Sequence, residues 1–122
     1  MWLVRVRYQL EAYRDIKSIH DYVAERNPRA ASTTIARIRA AVERLGAFPH
    51  IGRKGTAPGT REWKVTGSPY VVVHELHPEA DEVVILGVFH EAQLRRGQAS
   101  APRSRLNEAQ LFTAPAVSPP TM

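Results

Sequence analysis

Four cations and three rings within one stretch of this chain are the residues whose types can do chemistry. Arg53, Lys54, Arg61 and Lys64 stand close together with only Glu62 to offset them, Trp63 and Tyr70 interleave with them, and His90 ends the last apolar run. Clustered cations draw a polyanion or an acidic protein segment by a long-range attraction that salt weakens. Trp63 and Tyr70 offer faces on which a base could stack or side chains for core and interface packing. His90, ionising near neutrality, suits acid or base work as well as a structural hydrogen bond. Other chemistries lack their residues. There is no cysteine, hence no disulfide and no thiolate metal site. His74 and His77, three apart with no carboxylate or cysteine spacing to complete a tetrahedral set, do not make a metal site. No glycine-rich phosphate loop or Ser-His-Asp arrangement is evident, and no cofactor is called for.

These residues need elements to hold them. The 122 residues are 43% hydrophobic with a net charge of +5, enough for one core and too few for two ordinary domains. Trp2-Leu3-Val4 is broken by Arg5 and Arg7 before it makes a signal-peptide core, and no run approaches the roughly 18 apolar residues of a membrane span. The expectation is a soluble cytoplasmic protein without a membrane partner. Val4, Val6 and Tyr8 alternate with Arg5 and Arg7, as in a half-buried strand with its arginines outward. Ala12, Ile16, Ile19 and Val23 recur at helical spacing from about Leu10 to Arg26. Asn27-Pro28 then supplies a cap and a first-turn proline, and Ala31, Ile35, Ile38, Val42 and Leu45 repeat the stripe until Gly46 offers a stop. Two such helices must pair as an antiparallel hairpin and cover one face of a sheet.

From Phe48 to Gly59, proline and glycine imply an irregular basic connector. Three β-like runs follow, Thr60–Val65, Tyr70–Leu76 and Val83–Phe89, separated by turns at Gly67-Ser68-Pro69 and at 78–81. The last is apolar on both parities, as an interior strand covered by helices on one side and by chain or a partner on the other would be. The fold class is therefore α+β, a β-α-α-β-β-β order with the helical hairpin on a small antiparallel sheet, over residues 1–96. Residues 97–122, rich in proline, alanine and serine and basic through Arg103 and Arg105, read as a mostly disordered tail, in which 107–112 could form one helical turn.

Five pieces in order, Ala12-x-x-Asp15-Ile16-x-x-Ile19-x-x-Tyr22, Leu45-x-x-Phe48-Pro49-x-x-Gly52-Arg53, Gly59-x-Arg61, Tyr70-Val71-Val72-Val73-His74 and Val84 to His90, resemble the RelE/ParE superfamily of toxins from bacterial type II toxin–antitoxin systems. The resemblance covers about residues 3–94. It implies the same fold and a cognate antitoxin whose acidic, amphipathic C-terminal segment wraps the toxin. RelE-like members are ribosome-dependent endoribonucleases acting on mRNA; ParE-like members inhibit DNA gyrase without being nucleases. Cleaving RNA through its 2′-OH needs a base, a positive charge at the phosphorane and an acid, roles for which Arg61, Lys64 and His90 would be the candidates. Yet Val71 stands where similar nucleases carry arginine, and the last strand has no cation before His90. The pattern, with Gly52-Arg53, Gly59-x-Arg61 and His90-x-x-Gln93, looks more like ParE. On that expectation there is no catalytic set, and Arg53, Lys54, Arg61, Trp63, Lys64, Tyr70 and His90 bind target or antitoxin. A ribosome-dependent nuclease, or a non-toxic interaction module of the same fold, is the alternative.

Overall fold

Asn27 divides the first half of the chain into two helices in the computed structural model, which describes residues 4–95 and the backbone of 111–113. Its backbone is extended, and its amide donates to the Val23 carbonyl at 2.7 Å, closing α1 (Leu10–Arg26). Its side-chain Oδ1 accepts from the Ala30 amide at 3.1 Å, opening α2 (Pro28–Ala47) with Pro28 in the first turn. One residue thus satisfies orphan groups of both helices, and losing such a cap costs about 1 kcal/mol. The stripes face inward as their spacing requires: Ala12, Tyr13, Ile16 and Ile19 from α1, and Ala31, Ile35, Ile38, Ala41, Val42 and Leu45 from α2, are buried. Gly46 is not the stop expected of it. The helix runs through it to Ala47 and ends at Phe48, because the residue before Pro49 is pushed out of helical conformation.

The sheet has the order β2-β3-β4-β5-β1-β6, with β1 Arg5–Gln9, β2 Arg53–Lys54, β3 Thr60–Lys64, β4 Tyr70–His77, β5 Glu82–His90 and β6 Leu111–Thr113. The α+β class and the hairpin on one face are as the sequence implied. Three details differ. First, β3, β4 and β5 form an antiparallel meander, but β1 lies parallel to β5, with Arg5 opposite Glu82 and Tyr8 opposite Ile85. The cause is the helical hairpin: α2 ends beside the start of β1, where the Val4 amide donates to the Gly46 carbonyl at 3.0 Å. The next full strand therefore sets out from the same end as β1, and two tight reversals later β5 runs the same way. Second, the connector holds the two-residue β2, paired with β3 through Arg53–Glu62 and Lys54–Arg61. Third, residues 111–113, expected in a loose tail or helical turn, form β6 antiparallel to β1. The remainder of 97–122 lies outside the described residues.

Val83 and Ile85 face the helices, Val84 and Leu86 face away, and Val88 faces the helices again. The change of parity is a bulge: Val73 pairs with Gly87 but His74 with Ile85, leaving Leu86 as the extra residue on β5. A bulge strands a backbone donor. Here the Val88 amide donates to Asp15 Oδ2 of α1 at 3.0 Å, so a helix carboxylate completes the bonding of the sheet. The core between helices and sheet centres on Ile16, Ile38, Leu45, Val65, Val72, Val83 and Ile85, all fully buried. A second apolar cluster, Val71, Val73, Val84, Leu86, Phe89 and Leu94, lies on the opposite face, with Leu94 contributed by α3 (Glu91–Arg95). No helix among the described residues is long and apolar enough to cross a membrane.

Candidate functional site

β3 carries three of the seven sequence-derived candidates, Arg61, Trp63 and Lys64, and its alternation separates them. Trp63 and Val65 pack against the helix-side core, so Arg61, sharing their parity, sits on that face, whereas Lys64 sits on the other. Arg61 Nη1 donates to the Gly52 carbonyl at 3.1 Å, bracing the connector. Arg53, on β2, donates through Nε to Glu62 Oε1 at 3.2 Å. Glu62 is buried while the Arg53 side chain is 76% exposed, so the pair leaves most of a guanidinium edge facing solvent. Lys54 is exposed beside it. Lys64 Nζ donates to the Ser68 carbonyl at 2.6 Å and lies 3.8 Å from Glu91.

Gly52 makes the connector possible. Its φ of +101° is the left-handed region open to glycine, and a Cβ there would stand 2.5 Å from the Glu62 carbonyl oxygen. Chain reversal and close approach to β3 both require hydrogen at this position.

His90 is the last residue of β5 and starts α3. Its Nδ1 accepts from the Ala92 amide at 3.1 Å, and its own amide donates to Gln93 Oε1 at 3.0 Å. The His90 ring thus satisfies the Ala92 amide and the Gln93 side chain satisfies the His90 amide, an arrangement close to a capping box. The Nδ1 lone pair is committed to this bond, which leaves Nε2 to carry the proton of the neutral ring. Tyr70 lies edge-on to the imidazole with ring centroids 5.7 Å apart; the residue is buried, and desolvation raises its pKa. Tyr70 and His90 meet at one sheet end, Lys54 and Arg61 share the helix-side face at the connector, and Arg53, paired with Glu62, shares the other face with Lys64. Arg61, Lys64 and His90 do not converge on one point.

His74, opposite Arg61 in register, is fully buried, and its ring nitrogens make no well-formed hydrogen bond. Burial pushes its pKa down to about 4, the backbone of Val72 and Ile51 nearby offsetting part of the effect and the Arg61 charge adding to it. His77 turns elsewhere, to Glu75 Oε1 at 3.1 Å and Glu79 Oε2 at 3.7 Å. Among the described residues no three histidine, aspartate or glutamate side chains gather as metal ligands do.

The sequence did not mark one concavity among the described residues. A groove of about 380 Å³ runs between α2 and the end of β3, lined by Arg37, Ala40, Ala41, Arg44, Trp63, Thr66 and Gly67. Arg37 Nη1 donates to the Gly67 carbonyl at 2.5 Å, and the Arg44 guanidinium lies 5.3 Å from the centre of the exposed Phe48 ring. The floor is apolar and its rim cationic, a surface complementary to an acidic amphipathic segment. The signal was present: Arg37, Ala40, Ala41 and Arg44 are spaced i, i+3, i+4, i+7, a second helix stripe beside the core stripe.

Comparisons with known proteins agree with this architecture. The model of a family described as the ParE toxin of type II toxin–antitoxin system, parDE, matches residues 6–95. The toxin-family protein Y4kP of Sinorhizobium fredii is 35% identical over 89 residues, covering 73% of this chain and 90% of that one. Toxin RelE2 of Caulobacter vibrioides is 31% identical over 93 residues, covering 75% of this chain and all of that one. Among solved structures, a chain of the chromosomal ParDE system from P. aeruginosa superposes with a TM-score of 0.65 at 21% identity, over 72% of this chain and 96% of that one. A chain of the RelBE2 toxin–antitoxin complex from Mycobacterium tuberculosis gives 0.50 at 22% identity, over 72% and 98%. At those identities the structures speak for the fold alone.

Proposed function

The chain belongs to the ParE toxin family of type II toxin–antitoxin systems, within the RelE/ParE superfamily, and on that premise we propose that it acts in the cytoplasm as a ParE-like inhibitor of DNA gyrase, neutralised by a cognate antitoxin. The observation that carries the choice of target is the dispersal of the groups an RNA-cleaving site would need. Breaking a phosphodiester through the 2′-OH requires a proton acceptor, a charge at the developing phosphorane and a proton donor around one phosphate. Arg61 and Lys64 lie on opposite faces of β3, and His90 commits Nδ1 to capping α3. Binding by shape and charge asks for no such convergence, and the exposed Arg53, Lys54 and the connector suit it.

The antitoxin segment in this proposal is acidic and amphipathic. It lays apolar side chains on the groove floor of Ala40, Ala41 and Trp63, and sets carboxylates against Arg37, Arg44, Arg53 and Arg61. Such a segment folds as it binds.

The likeness to RelE2 supports the second reading, a ribosome-dependent mRNA endoribonuclease. Induced expression in a bacterium distinguishes them. Gyrase inhibition gives a DNA-damage response and filamentation, with loss of supercoiling activity when purified toxin meets purified gyrase. Rapid translation arrest with transcripts cut on ribosomes would replace the gyrase proposal with the nuclease, and neither phenotype would leave an interaction module.

A further inference from the structure

We propose that β6 is an edge guard, holding the outer edge of β1 closed against strand pairing with a second copy of this chain. The sheet ends in β2 on one side and, β6 apart, in β1 on the other. The β2 edge is blunted by its own make-up: Arg53 and Lys54 are its whole length and both are exposed cations, which gives an incoming strand little to pair with. β1 lacks that defence. It runs from Arg5 to Gln9, and both its arginines reach Glu82 of β5, Arg5 at 3.2 Å and Arg7 at 3.4 Å, so their charge is offset locally.

Two hydrogen bonds fix which way the amides of β1 point. The Arg5 amide donates inward to the Asp81 carbonyl at 2.9 Å, and the Val4 amide, turned away from β5, donates to the Gly46 carbonyl at 3.0 Å. Alternation then turns the amides of Arg7 and Gln9 toward β5 and those of Val6 and Tyr8 toward the outer edge. The end of α2 closes that edge at Val4. β6 closes it from Arg7 to Gln9, where Tyr8 stands opposite Phe112 as the pair that exchanges both backbone bonds. A second copy fits the same place. Two β1 strands paired about a two-fold axis at Tyr8 set each Tyr8 against its counterpart and each Arg7 against a Gln9, so no like charges face one another, and residues 7–9 of one copy take the positions that 111–113 hold on the other. The match to the family model stops at residue 95, so the guard is an addition of this chain to the family domain, and the proposal does not rest on the choice between gyrase and ribosome.

Proline separates the amides of β6. Phe112→Pro removes the donor to Tyr8, whereas the Thr113 amide faces away from β1, so Thr113→Pro leaves the pairing in place. The full-length parent and Thr113→Pro are expected to sediment as monomers at every concentration, with the Tyr8 amide protected from hydrogen exchange. Phe112→Pro is expected to exchange that amide roughly a hundredfold faster in dilute solution and, as its concentration rises, to form dimers in which the protection returns. A Phe112→Pro chain that stays monomeric, dimers that leave the Tyr8 amide exposed, or dimers formed equally by the other two overturn the proposal. The chain contains no cysteine, so the guard is also tested with its backbone bonds intact. Gln9→Cys with Leu111→Cys places two thiols opposite one another at a spacing that a disulfide bridges; oxidation is expected to join them within one molecule and to hold it monomeric. A bond formed only between molecules, or none, overturns the proposal.

Discussion

Acid should loosen this domain through one buried imidazole. His74 keeps its neutral form in the folded state, with a pKa of about 4 against the ordinary 6.5 of a histidine, because burial denies the imidazolium its hydration and Arg61 adds a like charge. The unfolded chain therefore binds the extra proton first as pH falls. The stability contributed by the neutral ring is complete above 6.5, declines between 6.5 and 4, and changes no further below 4. The full difference is about 3 kcal/mol, and the share lost between pH 7 and pH 5 is about 2 kcal/mol. Glu75, whose pKa burial raises, acts in the opposite direction at the acid end, so the histidine is isolated by difference. Urea unfolding of the parent and of His74→Leu at pH 7 and pH 5 is the assay. The parent's loss should exceed the variant's by about 2 kcal/mol. Equal losses would refute the reasoning and place the acid sensitivity elsewhere.

Other perturbations test the parts one at a time. Asp15→Ala strands the Val88 amide at the bulge and should cost about 1–3 kcal/mol in urea unfolding; Asp15→Asn, which keeps an acceptor oxygen, should recover most of it. Gly52→Ala forces a Cβ against the Glu62 carbonyl at positive φ and should destabilise by about 1–3 kcal/mol, seen as a lower Tm. His90→Ala removes the cap of α3 and should cost about 1 kcal/mol, while His90→Asn restores the cap and retains toxicity; a folded, non-toxic His90→Asn would show that the ring has a further task. Replacing Arg37, Arg44, Arg53 and Arg61 together by Gln should weaken antitoxin binding and flatten its salt dependence, and an unchanged titration would remove these cations from the interface.

Local chemistry was the legible part of the chain. Helix stripes three and four apart, the Asn27-Pro28 boundary and the valine-rich β4 and β5 follow from side-chain periodicity within a few turns. The direction of β1 does not, because it is set by pairing with a strand about 77 residues later, Arg5 with Glu82. The bulge was hidden for a similar reason: Gly87 hinted at it, but the carboxylate that stabilises it comes from α1. Among the candidate residues, the basic connector and its exposed arginine could be read from composition, whereas their partition between two faces needed the register of β3. His90 could be read from sequence as a cap or as an acid or base, because a histidine at a strand end serves either and the two differ only in which atom its Nδ1 meets. Arg37 and Arg44 went unmarked since a helix stripe of arginine and alanine reads as solvated surface until a tryptophan is found beside it.

The placement of β1 bears on how the molecule comes into being. Both of its lateral neighbours, β5 and β6, are made after nearly everything else, so the first strand to leave the ribosome waits without a hydrogen-bonding partner while the helical hairpin and the meander are synthesised. Contacts of such large separation close late. A growing chain is thus held short of its finished shape until residue 90 has emerged, an interval in which the backbone of its first strand stands open to other partners.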